Sequence, residues 1–114
     1  MLAGPILYIN PKIILARSEA LRLPAIYQWP EIAEEGGLAA YGPRFSKVYR
    51  QLARQLVKVL RGAKPADLPV EQPTEFELVL NLKTAQTLSL TIPPSILARA
   101  DEITRVRRLK LTWV

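Results

Sequence analysis

At 114 residues the chain is sized for one compact domain and excludes two large ones. Hydrophobic residues make up 49%, charged residues 23%, and the net charge is only +6, which suits a packed core and argues against disorder. With no cysteine and no histidine, a disulfide framework, thiol chemistry and a Ser-His or Cys-His hydrolase site within the chain are excluded.

Taken in order, Ile6-Leu7-Tyr8-Ile9 predicts a short strand ended by Asn10-Pro11. The apolar start, Met1 to Ile14, is interrupted by Asn10, Pro11 and Lys12, so it is not read as a signal peptide. No run approaches the roughly 20 apolar residues that a membrane span needs. Lys12 to Leu21 predicts a helix with Ile13, Ile14, Leu15, Ala16, Ala20 and Leu21 on its apolar side. Leu23 to Tyr27 predicts a second strand, broken by Gln28-Trp29-Pro30, and Pro30 suits the first turn of a helix carrying Glu31, Glu34 and Glu35. Gly36-Gly37 ends that helix, and Leu38 to Tyr41 predicts a third strand closed by Gly42-Pro43.

The strongest period follows. Phe45, Val48, Tyr49, Leu52, Leu56, Val59 and Leu60 share one face of a helix over about Arg44 to Arg61, with Gly62 as its left-handed cap. Ala63 to Thr74 holds Pro65, Pro69 and Pro73 and predicts an extended connection. Glu75 to Leu82 alternates, which predicts a strand burying Phe76, Leu78, Leu80 and Leu82 and turning Glu75, Glu77, Val79 and Asn81 the other way. Thr84 to Leu88 predicts a short helix, and Ser95 a cap for a last helix over Ile96 to Ile103. The tail from Arg105 to Val114 has the pattern of an exposed strand. Alternation of strands and helices predicts an α/β protein with a parallel sheet.

Few features suggest chemistry. Lys47, Arg50, Arg54, Lys58 and Arg61 lie opposite the apolar face of the long helix, but no base-reading groups interleave them. They read as a solvated face, and nucleic acid is not an expected partner. Glu31, Glu34 and Glu35 are favoured in a first turn by the helix dipole alone, and no nucleophile-base pair or metal-ligand cluster accompanies them. Neither catalysis, a metal nor a cofactor is therefore expected. Tyr27, Gln28, Trp29 and Tyr41 sit at strand ends, where open α/β sheets bind ligands. Aromatics there can sandwich a planar solute while Gln28 fixes its polar end. They read equally well as core or boundary aromatics.

Several longer motifs occur in sequence: Leu23-Pro24-Ala25-Ile26-Tyr27, Glu35-Gly36-Gly37-Leu38, Tyr41-Gly42-Pro43, the run from Arg61 to Thr74, Phe76 to Ala85, and Ile92 to Glu102. Together they resemble the closing portion of bacterial ABC-transporter substrate-binding proteins of the tryptophan/aromatic-binding-protein-like group. The resemblance covers about Ile6 to Glu102. It implies part of a type I periplasmic-binding fold, a three-layer α/β architecture with a mostly parallel sheet, in which two lobes close on a solute and a membrane permease reads the closed form. It implies that residues 1–42 belong to the second lobe, 43–72 to the first, and 73–102 to a return crossing with closing helices, leaving 103–114 as an atypical tail. Tyr27, Gln28, Trp29, Tyr41 and Gly42 become the expected ligand or hinge positions. The implied partners are a small solute such as an amino acid or aromatic acid and an importer permease, in the periplasm. With most of a family member's first lobe missing, the long helix would expose its apolar face, so a homo-oligomer, a dimer in the first instance, is expected. The alternative expectation is a truncated, self-associating protein that binds no solute.

Overall fold

A computed structural model of the chain describes residues 9–105. The elements run α1 (Pro11–Ala20), β1 (Ile26–Tyr27), α2 (Pro30–Glu34), β2 (Ala39–Gly42), α3 (Phe45–Leu60), a 3-10 turn (Pro65–Asp67), β3 (Glu77–Asn81), α4 (Leu82–Thr87), α5 (Pro94–Leu97) and β4 (Glu102–Thr104). Both α1 and α2 begin with proline in the first turn, where its missing N–H has no intrahelical partner to lose. The strand expected at Ile6 to Ile9 and the tail strand lie outside the described residues, apart from Ile9 and Arg105.

The strands form one sheet in the order β1-β2-β3-β4. β1–β2 and β3–β4 are parallel, whereas β2–β3 is antiparallel. The sheet is thus mostly parallel, as expected, but the strand-helix order alone did not show the antiparallel pair. Its cause is the course of residues 43–76. The chain leaves the sheet after Gly42 and returns at Glu77, which is Gly42's partner in register. Departure and return therefore occur at the same end, and β3 must run back against β2.

Tyr27, Ile32, Ala33, Ala40 and Val79 form the buried core, with Ile14, Leu15, Ala25 and Trp29 packed on it. Tyr27, Ala40 and Val79 are neighbours in register, so they share the sheet face that α2 covers. The opposite face carries Ile26, Tyr41 and Ile103, which are 54%, 57% and 43% exposed.

Four of the five described helices, α1 to α4, end at a left-handed residue. In α3, Gly62 (φ +105) donates to Val59 O while Ala63 donates to Lys58 O, the paired bonds that close a helix through a left-handed residue. Gly36 does the same for α2. In α1 and α4 the left-handed positions are Arg22 and Ser89, with φ of 52° and 57°.

Two expectations need correction. The last helix does not run from Ile96 to Ile103: it spans Pro94–Leu97, Pro93 is its cap, and Ser95 lies inside it. Ile103 instead belongs to β4. Asp101 settles the change, because its N–H donates to Leu78 O and its carboxylate accepts from Leu78 N, drawing the chain onto β3. Nor does β3 bury only its Leu side. Val79 and Asn81 are both fully buried while Phe76 is 50% exposed. β3 is a central strand with neighbours on both edges, and α2 packs over the Val79 side.

Candidate functional site

The parallel register of β1 and β2 brings Gln28 and Trp29 beside the end of β2. Gly42 passes so close that a Cβ placed there would stand 1.8 Å from Gln28 O. Only hydrogen fits between the two backbones. This contact fixes where the chain leaves the sheet.

Two aromatic stacks flank the exit. Tyr41 stacks on Phe76 with ring centroids 5.8 Å apart, joining the departing and returning segments. Both rings are half exposed, at 57% and 50%. On the other stack, Trp29 lies 3.9 Å from Phe45, and Phe45 lies 5.8 Å from Tyr49. Of the five expected positions, Gln28 and Tyr41 are exposed, Trp29 is half-buried, and Gly42 is buried in the backbone contact. Tyr27 is a core residue, 4% exposed, with its hydroxyl 3.4 Å from Ser18 Oγ. The structure thus brings Gln28, Trp29, Tyr41 and Gly42 together at one end of the sheet and holds Tyr27 behind them.

A charged cluster missed by the sequence reading completes this end. Arg44 donates to Glu77 Oε2 at 2.6 Å and also to Glu34 and Glu102. Lys47 bonds Glu75 and, at 3.1 Å, Glu77. Glu31 accepts from Phe45 N at 3.0 Å and so satisfies one free N–H at the start of α3. The acidic residues of α2 are therefore structural partners of the next helix. Burial alone would raise the Glu77 carboxyl, but hydrogen bonds from Arg44 and then Lys47 outweigh it and hold it below the ordinary carboxylate range. Desolvation opposes the charge on Arg44, and its bonds to Glu34 and Glu77 more than reverse that effect. One signal was available in the sequence. Arg44 precedes the first turn of a helix, where the dipole disfavours a cation, and nearby carboxylates offset that cost.

Beyond this end, α3 offers a bare surface. None of its residues is buried, and Tyr49, Leu52, Leu56 and Leu60 are 60%, 59%, 55% and 77% exposed. The return segment covers only its flank, through Gln51 to Glu71 and Gln55 to Pro69 O. The basic residues Arg50, Arg54, Lys58 and Arg61 are solvated as expected. Among the described residues no group of acidic side chains could hold a metal ion, and no helix is long and apolar enough to cross a membrane.

A family model described as ABC transporter substrate binding protein matches residues 7–104. No curated protein matches the chain. Among solved structures, a conserved domain protein from Vibrio cholerae superposes with a TM-score of 0.80 at 24% identity, over 86% of this chain and 33% of that one. An ABC domain from Streptococcus pneumonia, in complex with L-Trp, gives 0.79 at 28% identity, over 90% and 35%. A ligand-free, open substrate binding protein with adhesive properties from Clostridium difficile gives 0.53 at 19% identity, over 90% and 34%. The chain spans about a third of the length of each. The first and third likenesses speak for the fold alone.

Proposed function

Because this chain belongs to the ABC transporter substrate-binding protein family, we propose that it forms one wall of a cleft that binds a small organic solute for an importer, without catalysis. The observation that carries this reading is the half-exposed Tyr41–Phe76 stack beside Gly42, at the end of the sheet where the chain departs and returns. A planar ring gains both burial and stacking on such a platform. Gln28, exposed at the same end, supplies an amide able to donate to or accept from the polar end of the solute. An amino acid or aromatic acid fits this pair of features, and the L-Trp complex of the streptococcal relative supports the same class.

In this reading residues 1–42 belong to one lobe, 43–72 reach toward the other, and 73–102 form the return crossing. Gly42 and Glu77, opposite each other, mark the hinge. A permease would recognise the closed clamp, on the periplasmic side that the family favours. The exposed apolar face of α3 favours a second reading for the isolated chain: self-association into a dimer through Leu52, Leu56 and Leu60.

Thermal denaturation against amino acids and aromatic acids, with L-tryptophan as the first probe, tests the proposal. A solute that binds only the folded chain adds roughly 2.7 kcal/mol at a hundredfold excess over its dissociation constant. The expected result is a concentration-dependent rise in midpoint confined to one chemical class. A cooperative melt unmoved by every solute would contradict it.

A further inference from the structure

Residues 43–76 form an arm attached to the sheet at one end. No residue of its helix α3 is fully buried, and the radius of gyration, 17.1 Å, exceeds the roughly 13 Å of a compact chain of this size. The bonds that tie the arm to the sheet layer start from its root, residues 44–47, and end on Glu31, Glu34, Glu77 and Glu102. Arg44 sits at the centre of them. Its one guanidinium holds Glu34 at the end of α2, Glu77 at the start of β3 and Glu102 at the start of β4.

Stability alone does not explain why one side chain meets three carboxylates. Arg44 and Glu77, 20% and 21% exposed, form a shielded pair that contributes, whereas Glu34 and Glu102, at 33% and 46%, are open enough to water to add little. The helix dipole also opposes a cation at this position. Geometry does explain it. A planar fork with five N–H groups can fix three carboxylates in set directions, which a lysine ammonium cannot. Three elements of the sheet layer are thereby joined to the first residue before α3.

We propose that Arg44 is the positioning residue that sets the angle between the α3 arm and the sheet. Its consequence for solute affinity rests on the clamp reading above, because arm angle then decides whether the cleft is open or closed. The angle itself does not depend on that reading.

The absence of cysteine permits clean paired labelling. Lys58→Cys on α3 and Gln86→Cys on α4, both exposed positions, would carry nitroxides for pulsed dipolar distance measurement without solute. Arg44 intact should give one narrow distance distribution. Arg44→Gln should at least double its width while the cooperative melt is kept, as the arm samples several positions. Arg44→Lys should broaden it too, because charge without the fork is insufficient. An unchanged width in Arg44→Gln, or full rescue by Arg44→Lys, would overturn the proposal. Should Arg44→Gln not fold, Glu102→Gln removes one half-exposed partner and is judged by the same criterion of width. A chain that binds no solute can pass this test, and one that binds can fail it.

Discussion

Gly42→Ala is expected to lower the midpoint of thermal unfolding by roughly 10–15 °C, from a loss of about 3 kcal/mol. The added methyl would lie 1.8 Å from Gln28 O and 2.9 Å from Gln28 C. Both are backbone atoms, so no rotamer change relieves the overlap. The β1 extension and the end of β2 would have to separate, which also disturbs the Ala40–Val79 core beside them. Gly62→Ala is the control. An added Cβ there meets nothing within 4 Å, and the site asks only for its positive φ, so about 1 kcal/mol is expected. Differential scanning calorimetry separates the two. Equal, small losses would show that β1 and β2 are not held at this crossing.

The second large effect is expected at Asn81. It is wholly buried, donates to Ala33 O at 2.9 Å, and accepts from Lys83 N at 3.1 Å and Thr84 N at 3.2 Å. One side chain thus caps α4 and ties it to the end of α2. Asn81→Ala removes a cap worth about 1 kcal/mol and leaves buried polar groups unpaired at about 1–3 kcal/mol. Ala33 O keeps a bond from Gly36 N, which limits the loss to about 3 kcal/mol in total. Urea denaturation should show a lower midpoint with an unchanged slope. Asn81→Ser retains a capping acceptor for α4 without burying a charge and loses the donor to Ala33 O, so it should fall between the wild type and Asn81→Ala. A Ser variant no better than Ala would put the weight on the Ala33 bond instead of the cap.

These two residues also show what the sequence reveals and what it conceals. The long helix was legible because its signals are local: the apolar period, the stop at Gly62 and the absence of interior breakers place it within one residue of Phe45–Leu60. Gly42 was legible as a turn, but not as the point where two backbones touch, since Gln28 lies far from it in sequence. Asn81 looked like an outward polar residue in an alternating strand. Its partner, Ala33 O, is 48 residues away, and a period of two cannot separate a solvated amide from a buried, satisfied one. The last helix failed for the same reason. The Leu78–Asp101 bonds that turn residues 102–104 into a strand are tertiary.

At the candidate site, Gln28, Trp29 and Tyr41 lie at strand ends as their positions in the sequence predict, while Tyr27 lies in the core because its ring fills the space under α2. Phe76 needed the antiparallel return of β3 to meet Tyr41, and Arg44 needed it to meet Glu77. That return is set by residues 43–76, whose course no local signal specifies.

The measurement that bears most directly on the solute-binding claim is a titration of the isotopically labelled chain with an aromatic amino acid, followed by amide NMR shifts. Saturable shifts at Gln28, Tyr41, Gly42 and Phe76, with Lys83 and Gln86 at the far end of the sheet unmoved, are the predicted result. Shifts confined to the far end, or none at millimolar solute, would contradict the account.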